Sequence, residues 1–212
     1  MFENVRGAFL IGGVIFFFLS VAVMGWLPSQ MVAQVRVQSL EELARDPIPE
    51  FRDLAERYPE AFDKHYGEPD SRAYAKALLE GRDVYIAEGC WHCHSQFVRP
   101  VSNEALRYGP VSLAAEYQNE LNYPPLFGTR RVGPDLSRES GKRSNDWHAA
   151  HFYDPPIVVP TSVMPAFPWF FDENKQPNER GIAIITYVQW LGSWIDADGN
   201  VRQAARDAAG GN

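Results

Sequence analysis

Cysteine is nearly absent from this chain, with two residues among 212, Cys90 and Cys93. A zinc site built on Cys-x-x-Cys wants a second pair of ligands, and the chain holds no further cysteine to supply it. Basic charge is also scarce: 20 Lys and Arg stand against 27 Asp and Glu, giving a net charge of −7 and a pI near 5.2. That balance excludes nucleic acid as a partner, because its phosphates require a basic face. Internal repeats are missing, and the only low-complexity tract is the Ala/Gly-containing tail 204–212, which is expected to fray. What is there is a folded composition, 45% hydrophobic and 13% aromatic.

One stretch lacks charge altogether. From Gly7 to Leu27 the run GAFLIGGVIFFFLSVAVMGWL is apolar almost throughout, and roughly 20 helical residues cross a hydrocarbon core. A cleaved signal peptide has a shorter apolar region, about 7 to 15 residues, ending at a small-residue site. Here the exit is Trp26-Leu27-Pro28, which suits an interfacial anchor. The expectation is a retained single-pass anchor over 1–31, in contact with membrane lipid. About 180 residues remain after it, enough for a single core.

The two cysteines sit in Cys90-Trp91-His92-Cys93-His94, the attachment signature of a c-type haem. Each thiol adds across one vinyl group of the macrocycle, and the next residue, His94, is then held under the iron as an axial ligand. A thioredoxin-like site would open a helix after a buried strand, whereas the residues before Cys90 read as a helix. Covalent haem also sets the compartment. In bacteria it is attached outside the cytoplasmic membrane, so the expected topology is N-terminus in, with the haem domain on the periplasmic side of the inner membrane.

Two helical patterns flank the motif. Tyr74, Ala77, Leu78, Val84 and Tyr85 recur at helical spacing over 71–87, with Ser71 as a plausible N-cap. Ile182, Ile185, Val188, Gln189 and Trp190 do the same over 178–194, with Gly192 near the stop. The fold class expected is mainly α: one N-terminal transmembrane helix plus a class I-like cytochrome c domain over 71–200, followed by a flexible tail, 201–212. Residues 32–70 read as an acidic, proline-punctuated linker or insertion. Within 41–70 ten Asp or Glu face four Lys or Arg. The plain reading is a solvated spacer; the sharper one is a docking surface for a soluble basic electron donor.

A sixth iron ligand has few sources. Met1, Met24 and Met31 belong to the anchor region, leaving Met164 in Ser162-Val163-Met164-Pro165-Ala166-Phe167-Pro168. Its flanking prolines stiffen the loop, and a soft thioether raises the potential as electron transfer requires. His148 and His151, three residues apart, are the competing ligands or else a hydrogen-bonded surface or supporting pair, while His92 and His65 are not expected to bind iron. The Gly133-Pro134 corner offers an unpaired carbonyl to the proximal histidine. Arg99, Arg130 and Arg131 are candidate partners for the haem propionates.

Taken together, GRDVYIAEGCWHCHSQFVRP, ALRYGPVSLAAE, RRVGPDLSRESGKRSNDWHAAHFYDP and VVPTSVMPAFP resemble the membrane-anchored mono-haem subunit of cbb3-type cytochrome c oxidases. The resemblance covers most of residues 81–170 and the anchor. It implies covalent haem c on Cys90 and Cys93, axial ligation by His94 and Met164, and Pro134 bracing the histidine. It also implies a multi-spanning catalytic subunit with haem b and a haem–copper centre, often joined by a di-haem cytochrome c subunit. This chain would then carry electrons without a catalytic site of its own. Residues 36–70 and the segment around Gln118–Asn122 depart from the family's pattern. The cytochrome subunit of a nitric oxide reductase shares the same plan, and a free-standing membrane cytochrome or haem sensor is the reading from a different class.

Overall fold

The computed structural model describes residues 2–33 and 36–195, so the tail expected over 201–212 and the last five residues of the expected haem domain lie outside the described residues. The chain divides into two units between Val37 and Gln38. The first is a helix in three consecutive parts: α1 (Phe2–Ser20), a π-helical turn (Val21–Trp26) and α2 (Leu27–Ala33). Asn4–Ala33 spans 30 residues, with a mean hydropathy of 2.4 over its apolar 18-residue window, about 45 Å of helix against a hydrocarbon core of about 30 Å. It is long and apolar enough to be a single-pass anchor.

That helix does not end at the expected exit. It runs through Pro28 to Ala33, and the π-turn explains how. Proline has no N–H to donate to the carbonyl four residues back. The turn before it adopts the wider register instead, with Leu27 N–H donating to Ala22 O, so the missing bond is absorbed without a break.

In the second unit the acidic stretch is folded, in contrast to the expected solvated spacer. It forms α3 (Leu40–Leu43), α4 (Pro49–Arg57) and α5 (Pro59–His65). Ser39 and Glu42 close a reciprocal capping box on α3. Pro49 and Pro59 each occupy a first helical position, where the absent N–H costs nothing. Phe51, Leu54 and Phe62 are fully buried, and Phe51 packs 5.1 Å from Phe62 and 4.9 Å from Tyr74, ring centroid to centroid. The charges occupy the outer faces, and the apolar periodicity beneath them builds core.

The main framework is α6 (Ser71–Ala87), which leads into α7 (Cys90–Cys93), with α8 (Glu104–Tyr108), α9 (Asn145–Tyr153) and α10 (Glu179–Trp190) following. Asp70, not Ser71, caps α6; its carboxylate accepts from the N–H groups of Arg72 and Ala73. The carboxylate takes two of the orphan donors, which a seryl hydroxyl one residue later is not placed to do. Helices α6 and α10 cross at Gly81, where a Cβ would stand 2.1 Å from Ala183 O and 2.6 Å from Tyr187 Cβ. Contact this close is open only to glycine.

Among the described residues no sheet forms; isolated bridges join Gln38 with Asn119 and Phe171 with Pro177. The long connection 94–144 is instead held by side chains. Buried Arg82 on α6 donates to the carbonyls of Leu121, Tyr123 and Pro124 at 2.6, 2.9 and 3.2 Å. Buried Arg138 grips Glu116 through two bonds of 2.7 and 2.8 Å, a bidentate pair that satisfies both forks.

Candidate haem site

Gly89, at φ 71°, ends α6 in the left-handed region and starts the tight turn of α7. The turn brings His94 N–H onto Cys90 O at 2.9 Å and leaves His94 itself extended. The 129–136 segment runs beside the motif, with Gly133 N–H donating to Cys93 O and Leu136 N–H to Ser95 O, both at 2.9 Å. His94 Nδ1 lies 2.9 Å from Pro134 O. A carbonyl can only accept, so the proton sits on Nδ1 and the lone pair on Nε2. Burial lowers the pKa of His94, with the Pro134 bond working the other way. A neutral imidazole with a free Nε2 is the state a metal needs.

Gly133 lies flat against that ring. A Cβ there would fall 2.3 Å from His94 Cε1, so the glycine keeps the imidazole upright. Asp135, next along, is buried and accepts from Ser95 Oγ at 2.6 Å, Phe97 N at 2.9 Å and Ser137 N at 2.9 Å. It fixes the corner from behind, and the sequence reading missed it.

Cys90, Cys93, His94, Gly133, Pro134 and Met164 line one cavity of about 570 Å³. A recess of about 70 Å³, bounded by Tyr85, Phe152, Ile184 and Val188, shares Cys90, His94 and Met164 with it. Met164 is half-buried in a loop without regular structure, tied by its N–H to Ser162 Oγ at 3.2 Å. Glu88 anchors the chain on the C-terminal side of that loop: it accepts from Trp169 Nε1 at 3.1 Å and pairs with Arg180. The Cys90 thiol is pushed up to about 12, chiefly by burial and then by Glu88. A thioredoxin-like nucleophile requires the opposite shift. Among the described residues no cluster of three or more His, Cys, Asp or Glu could hold a metal ion, which leaves the zinc reading without ligands.

The residues present fit a haem. The cavity is mostly apolar, its glycine cradle would not accept a side chain, and buried polar atoms on its wall lack partners. His148 Nε2 and His151 Nδ1 are buried without a hydrogen bond, so they are not the hydrogen-bonded surface pair that the sequence suggested. Burial drives His148 down to about 3, and it also lowers His151. His92 stacks on Trp91 at 3.9 Å and His65 faces Glu179 at 3.3 Å, neither on the cavity wall.

The arginines need correction. Arg99, Arg130 and Arg131 line a separate pocket of about 240 Å³. Arg99 pairs with Glu104 at 3.2 Å, and Arg131 is engaged by Glu104, Asp135 and Phe97 O. The cations on the cavity wall are Arg107, Lys142 and Arg143. The spacing of Arg143, Trp147 and His151, four residues apart, was the available signal.

The family model for Cytochrome C oxidase, mono-heme subunit/FixO, matches residues 56–181. The chain belongs to this family. Among curated proteins, none matches it. Membership in the FixO family makes the chain a mono-haem subunit of a cytochrome c oxidase and agrees with the cbb3-type resemblance read from its motifs. The match encloses α6, the Cys-x-x-Cys-His turn, the Gly133-Pro134 corner, α9 and Met164, and it starts inside α4. The family is that of a mono-haem subunit, and the cavity described above has room for one haem.

Proposed function

We propose that the chain holds one c-type haem through thioethers to Cys90 and Cys93, with His94 and Met164 as axial ligands. It passes electrons to the haem b and haem–copper subunit of a cbb3-type oxidase that reduces oxygen to water. The observation that carries this reading is the His94 Nδ1–Pro134 O bond of 2.9 Å, made on a cavity shared by both cysteines and Met164. It fixes the tautomer that leaves Nε2 for iron. Bound there, the haem supplies a one-electron couple. The chain's own residues hold the imidazole, keep the thioether loop in place and exclude water from the recess.

On this reading the N-terminal helix anchors the chain in the inner membrane and the haem domain faces the periplasm, where covalent haem attachment takes place. Electrons reach it from a di-haem subunit or a soluble donor. The acidic stretch 41–70, with ten Asp or Glu against four Lys or Arg, favours a basic donor by charge steering.

Purification from solubilised membranes tests the whole reading. A haem-stained band near the 24.0 kDa chain mass should vanish in Cys90→Ser and Cys93→Ser, and a multi-spanning haem b subunit should co-purify. Protease added to intact spheroplasts should remove the stained domain. An unchanged stain in both variants overturns covalent attachment; a protected domain overturns the orientation. A co-purifying nitric oxide reductase subunit would replace the oxidase assignment.

A further inference from the structure

Two carboxylates remain to be accounted for. A haem is apolar except for its two propionates, and a carboxylate taken from water into an apolar cavity is costly unless donors meet it. Of the three arginines marked by the sequence, Arg99 is spent on Glu104 and Arg131 on Glu104, Asp135 and Phe97 O, while Arg130 is exposed on the separate pocket. The cavity wall carries a different set. Trp147 and His151 sit four residues apart on α9, and Arg143 lies just before its Ser144 cap, so the three side chains stack in a column. The Arg143 guanidinium carbon sits 5.0 Å from the centre of the Trp147 ring. Trp147 in turn stacks on His151 at 4.7 Å with 19° between planes.

The column ends in unmet hydrogen-bonding capacity. His151 Nδ1 is buried without a partner, and so is Nε2 of His148, a residue only 3% exposed. Both histidines line the recess, and Arg143 stands exposed on the main cavity. Orphaned polar atoms at this depth are rare in folded proteins and point to a group that completes them. An anion suits the position. His148 is neutral at physiological pH and donates without carrying a buried charge. Three acids line the cavity with Arg107, Lys142 and Arg143: Glu88 is paired with Arg180, Asp135 is hydrogen-bonded to Ser95, Phe97 and Ser137, and Glu139 is held above the usual carboxylate range by burial, which lessens the like charge beside a further carboxylate.

We propose that Arg143, Trp147, His148 and His151 form the clamp for a haem propionate. Arg143 pairs with the carboxylate at the mouth, and the two imidazoles donate to it from the buried side. Trp147 is a positioning residue that packs against both the guanidinium and the His151 imidazole. The clamp rests on the haem reading proposed above, and the experiment separates the two.

The test is a redox titration of the c haem across pH in the purified membrane complex. Arg143→Gln, His148→Leu and His151→Phe should each raise the proton affinity of the propionate roughly tenfold or more. The midpoint potential should fall and become pH-dependent near neutrality in all three. His148→Gln restores a donor at the Nε2 position and His151→Asn at the Nδ1 position, and both should return the profile toward the parent. Every variant should keep the covalent haem stain and the methionine-to-ferric-iron charge-transfer band. Profiles superimposable on the parent overturn the clamp, as does failure of the Gln and Asn variants to restore what Leu and Phe remove. Loss of the methionine band in a histidine variant also overturns it, making that histidine an iron ligand. A parent without stainable haem overturns the haem reading itself.

Discussion

Gly81→Ala sets two effects of opposite sign against each other. In an exposed helix the change would stabilise by about 1 kcal/mol, since Ala is the better helix former. Here the new methyl group would meet Ala183 O at 2.1 Å and Tyr187 Cβ at 2.6 Å. Ordinary contact begins beyond about 3.5 Å, so α10 must back away by more than an ångström. One of the colliding atoms is backbone and cannot rotate aside. Overpacking on this scale sits near the top of its usual range, about 3 kcal/mol. The clash wins, and the net loss is about 2 kcal/mol. For a protein of this size that lowers Tm by roughly 4–8 °C. Thermal unfolding of the full chain in detergent, followed by far-ultraviolet circular dichroism and by haem absorbance, measures it. Asp83→Ala, exposed on the same helix, should stay within about 0.5 kcal/mol of the parent. A Gly81→Ala melt at or above the parent's would mean that the helices part without cost, and the crossing argument fails.

Three further outcomes are expected. Gly133→Ala drives a methyl group into the His94 ring and should weaken iron ligation by roughly 10- to 100-fold, read as a high-spin fraction in the ferric spectrum; an unaltered spectrum refutes the cradle. Met164→Leu should abolish the methionine charge-transfer band, lower the potential and admit carbon monoxide to the reduced haem, while leaving the covalent stain intact. His148, pushed to about 3 by burial, binds its proton more readily unfolded, near 6.5. Its stabilising contribution is complete above about pH 6.5 and is lost as pH falls towards 3, amounting to about 2 kcal/mol by pH 5. Unfolding free energies from urea titrations at pH 7 and pH 5 should differ by that much in the parent and by less in His148→Gln; equal differences would refute it.

Much of the framework was legible because its signals are local. The helical recurrence of Tyr74, Ala77, Leu78 and Tyr85 marked α6, and the uncharged Gly7–Leu27 run marked the anchor. The Gly133-Pro134 corner read as an unpaired carbonyl, and the structure sets His94 against it. In the acidic stretch the charges mask the packing: Pro49 and Pro59 begin helices whose Phe51, Leu54 and Phe62 face the core. Charge count outweighed three apolar residues that decide the packing. The arginines misled for a different reason. Guanidinium groups reach far, and nothing in the sequence shows that Glu104 and Asp135, brought in by the 94–144 connection, have already claimed Arg99 and Arg131.

That same connection has no strands to hold it, yet Arg82 reaches three of its carbonyls from inside α6, and Arg138 closes it on Glu116. Loops without ladders ordinarily open on their own and exchange their amide protons long before a domain unfolds. Here the loop is fastened to the helix that leads into the Cys-x-x-Cys-His turn, so it can open only by stripping a buried guanidinium of its acceptors. Its amides should therefore exchange in step with those of α6, and the covering over one side of the cavity is lost only when the domain itself is lost.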